Sequence, residues 1–173
     1  GKNGVALTRI DIESGDEIDR EVHVIKSPRD ATQWLVEHAE EAEVFAVDTM
    51  MAWQFADRPC DQWIRKNFVS GRSGVKVSTI GSLQGSMLSY GLIAARTVLN
   101  KKPNLTLAEA NPKPLRRALG YDDLQEDDHG EDAWLAALAA GQWAAGQWKR
   151  DLFSEFPSDY WYPAGAAVYP WPD

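Results

Sequence analysis

The pattern of hydrophobic and polar positions predicts a mixed α/β chain. Residues 5–10 and 21–25 are strand-forming, and the polar stretch between them predicts an antiparallel pair joined by a hairpin-type connection. Val44–Val47 is a continuous apolar run, which is typical of a central strand covered on both faces. A further short strand is expected over residues 105–109, before the breaker Asn111-Pro112.

Helices are expected between these strands. Ser27 is suited to cap a helix with Pro28 in its first turn, and the apolar spacing continues this helix to about residue 43. Gly and Ser dominate residues 71–81, which predicts a loop. The other expected helices cover residues 60–68, 82–99, 114–119 and 131–153.

The last predicted helix carries small residues on one face, which would let its backbone approach a sheet closely. These residues are Ala133, Ala136, Ala137, Ala140, Gly141 and Ala144. Residues 157–173 contain five aromatic side chains among prolines and predict an irregular tail that packs back on the body through those rings. We therefore expect one domain over residues 1–173.

Composition narrows the class of protein. No apolar run is long enough to cross a bilayer, and no signal-peptide pattern is present, so no membrane association and a cytoplasmic location are expected. Cys60 is the single cysteine, which excludes an internal disulfide and a cysteine metal cluster and predicts a buried thiol. The sequence does not define an oligomeric state.

Net charge bears on nucleic acid as a partner. The formal charge of −8 argues against broad, non-specific attraction to nucleic acid, which needs clustered Lys and Arg. The negative net charge is still compatible with a nucleic-acid enzyme whose basic residues form a local track. Basic residues are clustered in only a few short pairs, such as Arg65-Lys66 and Arg116-Arg117. Each pair by itself is more simply explained as solvated surface charge.

Three acidic residues occupy positions in which α/β proteins often carry functional side chains. Asp48 follows the apolar strand and Glu109 ends the later one, while Asp132 falls in the first turn of the small-faced helix. Simpler roles are open to two of them, since Asp48 is suited to a turn and Asp132 to the helix dipole. If the strands are neighbours and the helix packs across them, the carboxylates converge. Such a cluster repels itself without a cation and suits Mg²⁺ or Mn²⁺.

The order of these elements resembles the ribonuclease H-like fold, a mixed central sheet flanked by helices. More closely, the chain resembles the domain of unknown function family 429, whose members are described as predicted nucleases of that fold. The resemblance covers most of residues 1 to about 150. It is carried by Lys2-Asn-Gly-Val-Ala-Leu7, Val47-Asp48, Arg58-Pro-Cys-Asp61, Ile64-Arg65, Glu109-Ala-Asn-Pro112, Glu131-Asp132-Ala133 and Leu135-Ala-Ala-Leu138-Ala-Ala140.

The resemblance implies a role for each matching position. Asp48, Glu109 and Asp132 would be the catalytic, metal-binding acids, and two such ions could clamp the attacking and leaving oxygens of a phosphodiester. Arg58 and Arg65 would contact substrate, with Arg58 a phosphate contact. Taken without the resemblance, Arg58 and Asp61 lie three residues apart near a helix start and are equally suited to cap that helix or to pair with each other.

The chain departs from the family at its amino end. The family's first strand carries a further aspartate, and Asp11 lies past the next strand and is a poor substitute. A strand before Gly1 would complete a three-stranded meander with the predicted hairpin. We expect that this first strand is missing from the amino end of the chain.

Two functions follow from different classes of protein. The first is a metal-dependent nuclease, or phosphodiester hydrolase, that uses the clustered carboxylates to bind Mg²⁺ or Mn²⁺. The second is a catalytically inactive module of the same fold that binds a nucleotide or a protein partner. A basic groove beside Asp48 would favour nucleic acid as the substrate of the first.

Overall fold

The computed structural model describes residues 2–54, 58–68, 85–121 and 129–173, with the side chains of residues 85–88 left aside. The loop predicted over residues 71–81 and the acidic run 122–128 lie outside the described residues. The elements run, in chain order, β1 (Asn3–Ile10), β2 (Glu17–Ile25), α1 (Pro28–His38), β3 (Val44–Val47), α2 (Pro59–Phe68), α3 (Gly85–Lys101), β4 (Thr106–Glu109), α4 (Pro112–Ala118), α5 (His129–Ala144), β5 (Arg150–Asp151), α6 (Leu152–Glu155), β6 (Ala167–Val168) and β7 (Pro170–Trp171).

The predicted hairpin is confirmed. β1 and β2 pair antiparallel along their lengths, and Asp11 orders the turn by accepting hydrogen bonds from the backbone N–H groups of Glu13 and Ser14. Gly15 has a φ of 76°, a left-handed conformation that favours glycine. The first helix is also confirmed at its start, where the Ser27 hydroxyl accepts from the N–H of Asp30.

A parallel sheet of order β3-β4-β6 places the two acid-tipped strands side by side. Val47 is the register partner of Glu109, so both strands end at the same edge, which meets the condition that the sequence analysis set for the acids to converge. β3 is covered less completely than predicted, because α3 and α5 both contact it but all four of its residues are only partly buried. Within the described residues β3 pairs with β4 alone, and its other edge borders a cleft.

Helix α5 packs closely on β1 through its small residues, which confirms that prediction. A Cβ atom placed on Gly4 would lie 1.6 Å from the backbone oxygen of His129, and one placed on Gly141 would lie 2.6 Å from Cγ1 of Ile10. The two backbones therefore approach to a separation that larger side chains would prevent.

The predicted end of α5 at residue 153 is wrong, since the helix ends at Ala144. Gly146 takes a φ of 71°, and its N–H donates to the carbonyl of Trp143 while that of Gln147 donates to Gln142. This pair of bonds is a Schellman motif, in which a left-handed glycine stops the helix. Residues 150–155 then form β5 and α6 instead.

The aromatic tail packs on the body as predicted, with Tyr169 and Trp171 each 1% exposed. The two rings join a core that contains Ile64, Leu135 and Leu152. The expectation of an irregular tail is wrong in part, because β6 pairs parallel with β4 and β7 pairs antiparallel with β5. These strands are only two residues long, which gives periodicity too few positions to detect them.

The fold is thus mixed α/β, with helices packed around small sheets that include a parallel one. Over the parts of the chain that the structure describes, no helix combines the length and hydropathy needed to cross a membrane. The carboxyl ends of β3 and β4 meet the start of α5 and α4, and this junction holds the candidate site.

Candidate functional site at the carboxyl end of the parallel sheet

Asp48 and Asp132 line the same cleft at the edge of the parallel sheet. Asp48 directly follows β3, and Asp132 lies in the first turn of α5, which packs against β3. The Asp48 side chain is surrounded by protein atoms, yet it is exposed because the cleft beside it is open to water. That open surface decides whether an ion or a substrate can reach Asp48.

The surroundings of Asp48 favour its neutral form. The crowding of protein around the carboxyl is the largest cause, and with the negative charges of Asp132 and Glu109 it raises the Asp48 pKa from the ordinary 3.8 to about 7. Lys113 opposes them with a positive charge. Asp132 and Glu109 are therefore both close enough to Asp48 to act on it electrostatically.

Asp132 is positioned by α4. The buried Arg116 donates from Nη2 to the Asp132 carboxylate at 3.1 Å, and the same nitrogen lies 3.8 Å from Glu131. Since Pro112 and Pro114 start α4 directly after β4, a short chain segment fixes the Arg116 side chain relative to the strand end. Asp132 is thus held by an ion pair with Arg116 of another helix. The sequence analysis considered only the favourable position of Asp132 in the dipole of its own helix.

Glu109 lies on the inner side of the site in a buried ion-pair network. It is 3% exposed and accepts from Nη1 of Arg58 at 2.8 Å and from the backbone N–H of Met51 at 2.7 Å. Arg58 also donates to Asp61 at 2.8 Å and to the carbonyl of Ala52 at 2.8 Å. The network ties the strand end to the 49–53 turn and to the start of α2.

The pairing of Arg58 with two carboxylates shifts the pKa values of the groups in this network. Burial opposes the positive charge of Arg58, but Glu109 and Asp61 outweigh that effect and raise the Arg58 pKa well above its usual range. For Glu109, burial raises the pKa and Arg58 lowers it. The arrangement is a guanidinium shared between two carboxylates, in the planar geometry that Arg provides.

The two predicted substrate contacts do not lie on the cleft. Arg58 is 2% exposed, and its N–H groups donate hydrogen bonds to Asp61, Glu109 and Ala52. Of the roles considered for Arg58, the structure therefore shows the pairing with Asp61. Contact with a phosphate would require those bonds to break. Arg65 is half-buried on α2 and is not among the residues that line the cleft.

Lys113 is a site residue that the sequence analysis missed. It is exposed, lies in the first turn of α4, and its charge acts on Asp48. The signal was present in the sequence, because Pro112-Lys113-Pro114 follows the strand-end acid and the prolines fix the direction of the chain. As a single lysine it did not belong to any cluster of basic residues.

Asp48 and Asp132 are the two predicted acids that could hold a divalent cation at the cleft. Among the described residues no three His, Cys, Asp or Glu side chains are grouped tightly enough to hold a metal by themselves. Mg²⁺, however, usually keeps several waters and is bound through one or two carboxylates. Asp48 and Asp132 supply two carboxylates at an open cleft, and their repulsion is the kind that a cation relieves.

Comparison with known proteins adds no relative. No protein-family model matches the chain, and neither a curated protein nor a solved structure matches it. A mixed α/β fold by itself does not assign a function, because one fold can host many unrelated sites. The functional conclusion therefore depends on the residues at the cleft.

The raised pKa of Asp48 predicts a pH-dependent stability. Between about pH 4 and about pH 7 the folded state holds the Asp48 proton more tightly than the unfolded state, so the free energy of unfolding falls as pH rises through this interval. Asp48→Asn cannot ionise, and its stability relative to the wild type should rise over the same interval. Urea denaturation of both proteins across this range, without divalent cations, measures the difference. A difference that is independent of pH would contradict the prediction.

Proposed function

We propose that the chain is a metal-dependent nuclease of ribonuclease H-like fold, related to the domain of unknown function family 429. The observation that carries the proposal is the pair Asp48 and Asp132 on an open cleft at the carboxyl end of a parallel sheet, where α/β folds commonly place their sites. The mutual influence of the acids on the pKa of Asp48 supports a cation between them.

In this proposal each side chain has one task. Asp48 and Asp132 hold a Mg²⁺ or Mn²⁺ ion, which when bound would neutralise the charge that develops on a phosphodiester. Arg116 orients Asp132, and Glu109 fixes the turn after Asp48 by accepting from the N–H of Met51. Asp48 must be ionised to bind the ion, so binding weakens as pH falls below about 7.

A phosphate-containing substrate would need a positive charge near the two acids. The net charge of −8 disfavours non-specific attraction to nucleic acid, and a substrate phosphate needs a local cation. Lys113 supplies one, since it is exposed and its charge reaches Asp48. Lys113, like Arg65, is not among the residues that line the cleft, but its charge acts on Asp48, and we therefore expect Lys113 to contact the substrate phosphate.

Calorimetric titration with Mn²⁺ at about pH 8 tests the metal site. Wild-type protein should bind Mn²⁺, and Asp48→Asn should lose at least about tenfold in affinity, which corresponds to about 1.4 kcal/mol. Asp30→Asn is the matched control, because Asp30 is an exposed acid on α1 that does not line the cleft. Equal Mn²⁺ binding by Asp48→Asn and the wild type would contradict the proposal.

A catalytically inactive module is the second candidate, and one observation favours it. The Glu109 carboxylate is engaged by Arg58 and by the N–H of Met51, which leaves two of the three predicted acids on the cleft. Incubation with labelled single- and double-stranded DNA and RNA in the presence of Mn²⁺ separates the two candidates. Cleavage that Asp48→Asn abolishes supports the nuclease, whereas Mn²⁺ binding without cleavage of any of them supports the binding module.

A further inference from the structure

Strand β2 forms an edge of the hairpin that is open to solvent. It pairs with β1 on one side, and among the described residues no strand pairs with its other side. All of its residues from Glu17 to Val24 are exposed, including the apolar side chains of Ile18 and Val22. An unpaired edge presents a row of backbone N–H and C=O groups, to which another strand can add.

The regular part of this edge is short and has a defined midpoint. Residues 19–25 oppose β1 in an unbroken register. The register then shifts between Arg9 and Ile10, and Ile18 has no register partner in the described hairpin. Irregularities of this kind limit the length over which an edge can pair with another strand. The stretch that remains available is centred on Val22.

Side chains alternate between the two faces of β2, and each face carries different chemistry. Glu21 and His23 share the face toward α1, and Nε2 of His23 lies 2.6 Å from a carboxylate oxygen of Glu21. Arg20, Val22 and Val24 share the face toward α5, where the Arg20 guanidinium lies 4.6 Å from the centre of a tryptophan ring of that helix. The midpoint of the edge is thus polar on one face and apolar on the other.

A second copy of β2 complements this edge when the two strands run antiparallel and the two Val22 residues lie opposite each other. In that register Glu21 of each copy lies opposite His23 of the other copy, so the two existing pairs join into one polar network. The two Val22 side chains meet on the other face, beside Val24 of each copy. Polar and apolar cross-strand pairs of this kind stabilise neighbouring strands.

The neighbouring registers are disfavoured by charge or by the backbone. A shift of two residues in one direction places Glu21 opposite Glu21, and a shift of two in the other direction places Arg20 opposite Lys26. Like charges directly opposite each other destabilise a strand pair. A shift of one residue fails because only alternate residues direct their N–H and C=O groups to the free edge. The charges on β2 therefore complement a second copy of β2 in one register.

We infer that the chain associates with a second copy of itself through the free edge of β2, in an antiparallel pairing centred on Val22. The pairing joins the two hairpins into one continuous sheet. None of the β2 residues, all of which the structure describes, lines the cleft that holds Asp48 and Asp132. The cleft therefore stays open in the dimer, and the inference does not depend on metal binding or on nuclease activity.

Sedimentation equilibrium at protein concentrations from about 10 µM to about 1 mM tests the association. The wild type should shift from monomer toward dimer as concentration rises. Val22→Lys should weaken the association by at least about tenfold, because two ammonium groups would meet at the centre of the interface. Val22 is 37% exposed in the single chain, so this variant should fold, and its urea denaturation checks that it does. Ile93→Lys changes an exposed apolar residue of α3 and is the matched control, which should associate as the wild type does.

Cysteine crosslinking tests the register. Val22→Cys should form a disulfide-linked dimer on mild oxidation, because the Cβ atoms of directly opposite residues are about 4.5–5.5 Å apart. Val24→Cys should not, because its two copies would lie four residues apart along the paired strands. The wild type gives the background, since its natural Cys60 is buried.

Three results would overturn the inference. The first is a wild-type chain that stays monomeric over the whole concentration range. The second is an association that Val22→Lys leaves unchanged. The third is crosslinking of Val24→Cys that equals or exceeds that of Val22→Cys, which would exclude the register centred on Val22.

Discussion

Arg58→Met should lower the free energy of unfolding by about 3–5 kcal/mol, the cost typical of removing one partner from a buried ion pair. Arg58 is 2% exposed, and its loss would leave the buried carboxylates of Asp61 and Glu109 without their shared cation. Met preserves most of the side-chain volume, so the cost would come from the unpaired charge. Urea denaturation at neutral pH measures the change.

Two further variants separate charge from packing. Arg29→Met removes an exposed arginine from α1 and should stay within about 0.5 kcal/mol of the wild type. Adding Asp61→Asn and Glu109→Gln to Arg58→Met should recover part of the lost stability, because the orphaned charges are gone. If Arg58→Met were as stable as Arg29→Met, the network would not stabilise the fold, and Arg58 would again be a candidate for substrate contact.

Gly4→Ala should destabilise the fold by about 3 kcal/mol, at the upper end of the usual cost of overpacking. The added methyl group would lie 1.6 Å from the backbone oxygen of His129, so either β1 or the start of α5 must move. Backbone atoms within regular elements cannot rotate away as a side chain does. Thermal and urea denaturation should both show the loss, and the start of α5 should exchange its amides faster.

Gly141→Ala is the graded comparison for this contact. Its added Cβ would lie 2.6 Å from Cγ1 of Ile10, a side-chain contact that a shift of Ile10 can relieve more readily than the backbone contact at Gly4 can be relieved. Ala is also favoured over Gly within a helix by about 1 kcal/mol. We expect Gly141→Ala to lie within about 1 kcal/mol of the wild type, and equal destabilisation by the two variants would contradict the close backbone contact at Gly4.

Periodicity and capping chemistry predicted the larger elements because those signals are local. The hairpin, the helix capped by Ser27 and each of the two acid-tipped strands follow from residues near one another in sequence, whereas the pairing of those two strands does not. The small face of α5 also predicted its close packing on β1. The end of α5 was missed because the helical spacing continues past Gly146, whose left-handed backbone conformation stops the helix.

The site was less predictable because its decisive contacts are tertiary. The sequence placed Asp48 and Glu109 at the ends of two strands, but it did not show that Arg58 would fill the space beside Glu109. Nor did it show that Arg116 would hold Asp132 or that Lys113 would act on Asp48. Each of these pairs joins residues from different elements, and single-sequence patterns carry no signal for such pairing.

The proposed metal site is tested most directly by anomalous diffraction from crystals grown with Mn²⁺. The account predicts an anomalous peak at the cleft between the carboxylates of Asp48 and Asp132, and its absence from crystals of Asp48→Asn grown in the same way. A wild-type map without a peak there at saturating Mn²⁺, or with Mn²⁺ bound only at sites away from Asp48, would contradict the proposed metal-dependent function.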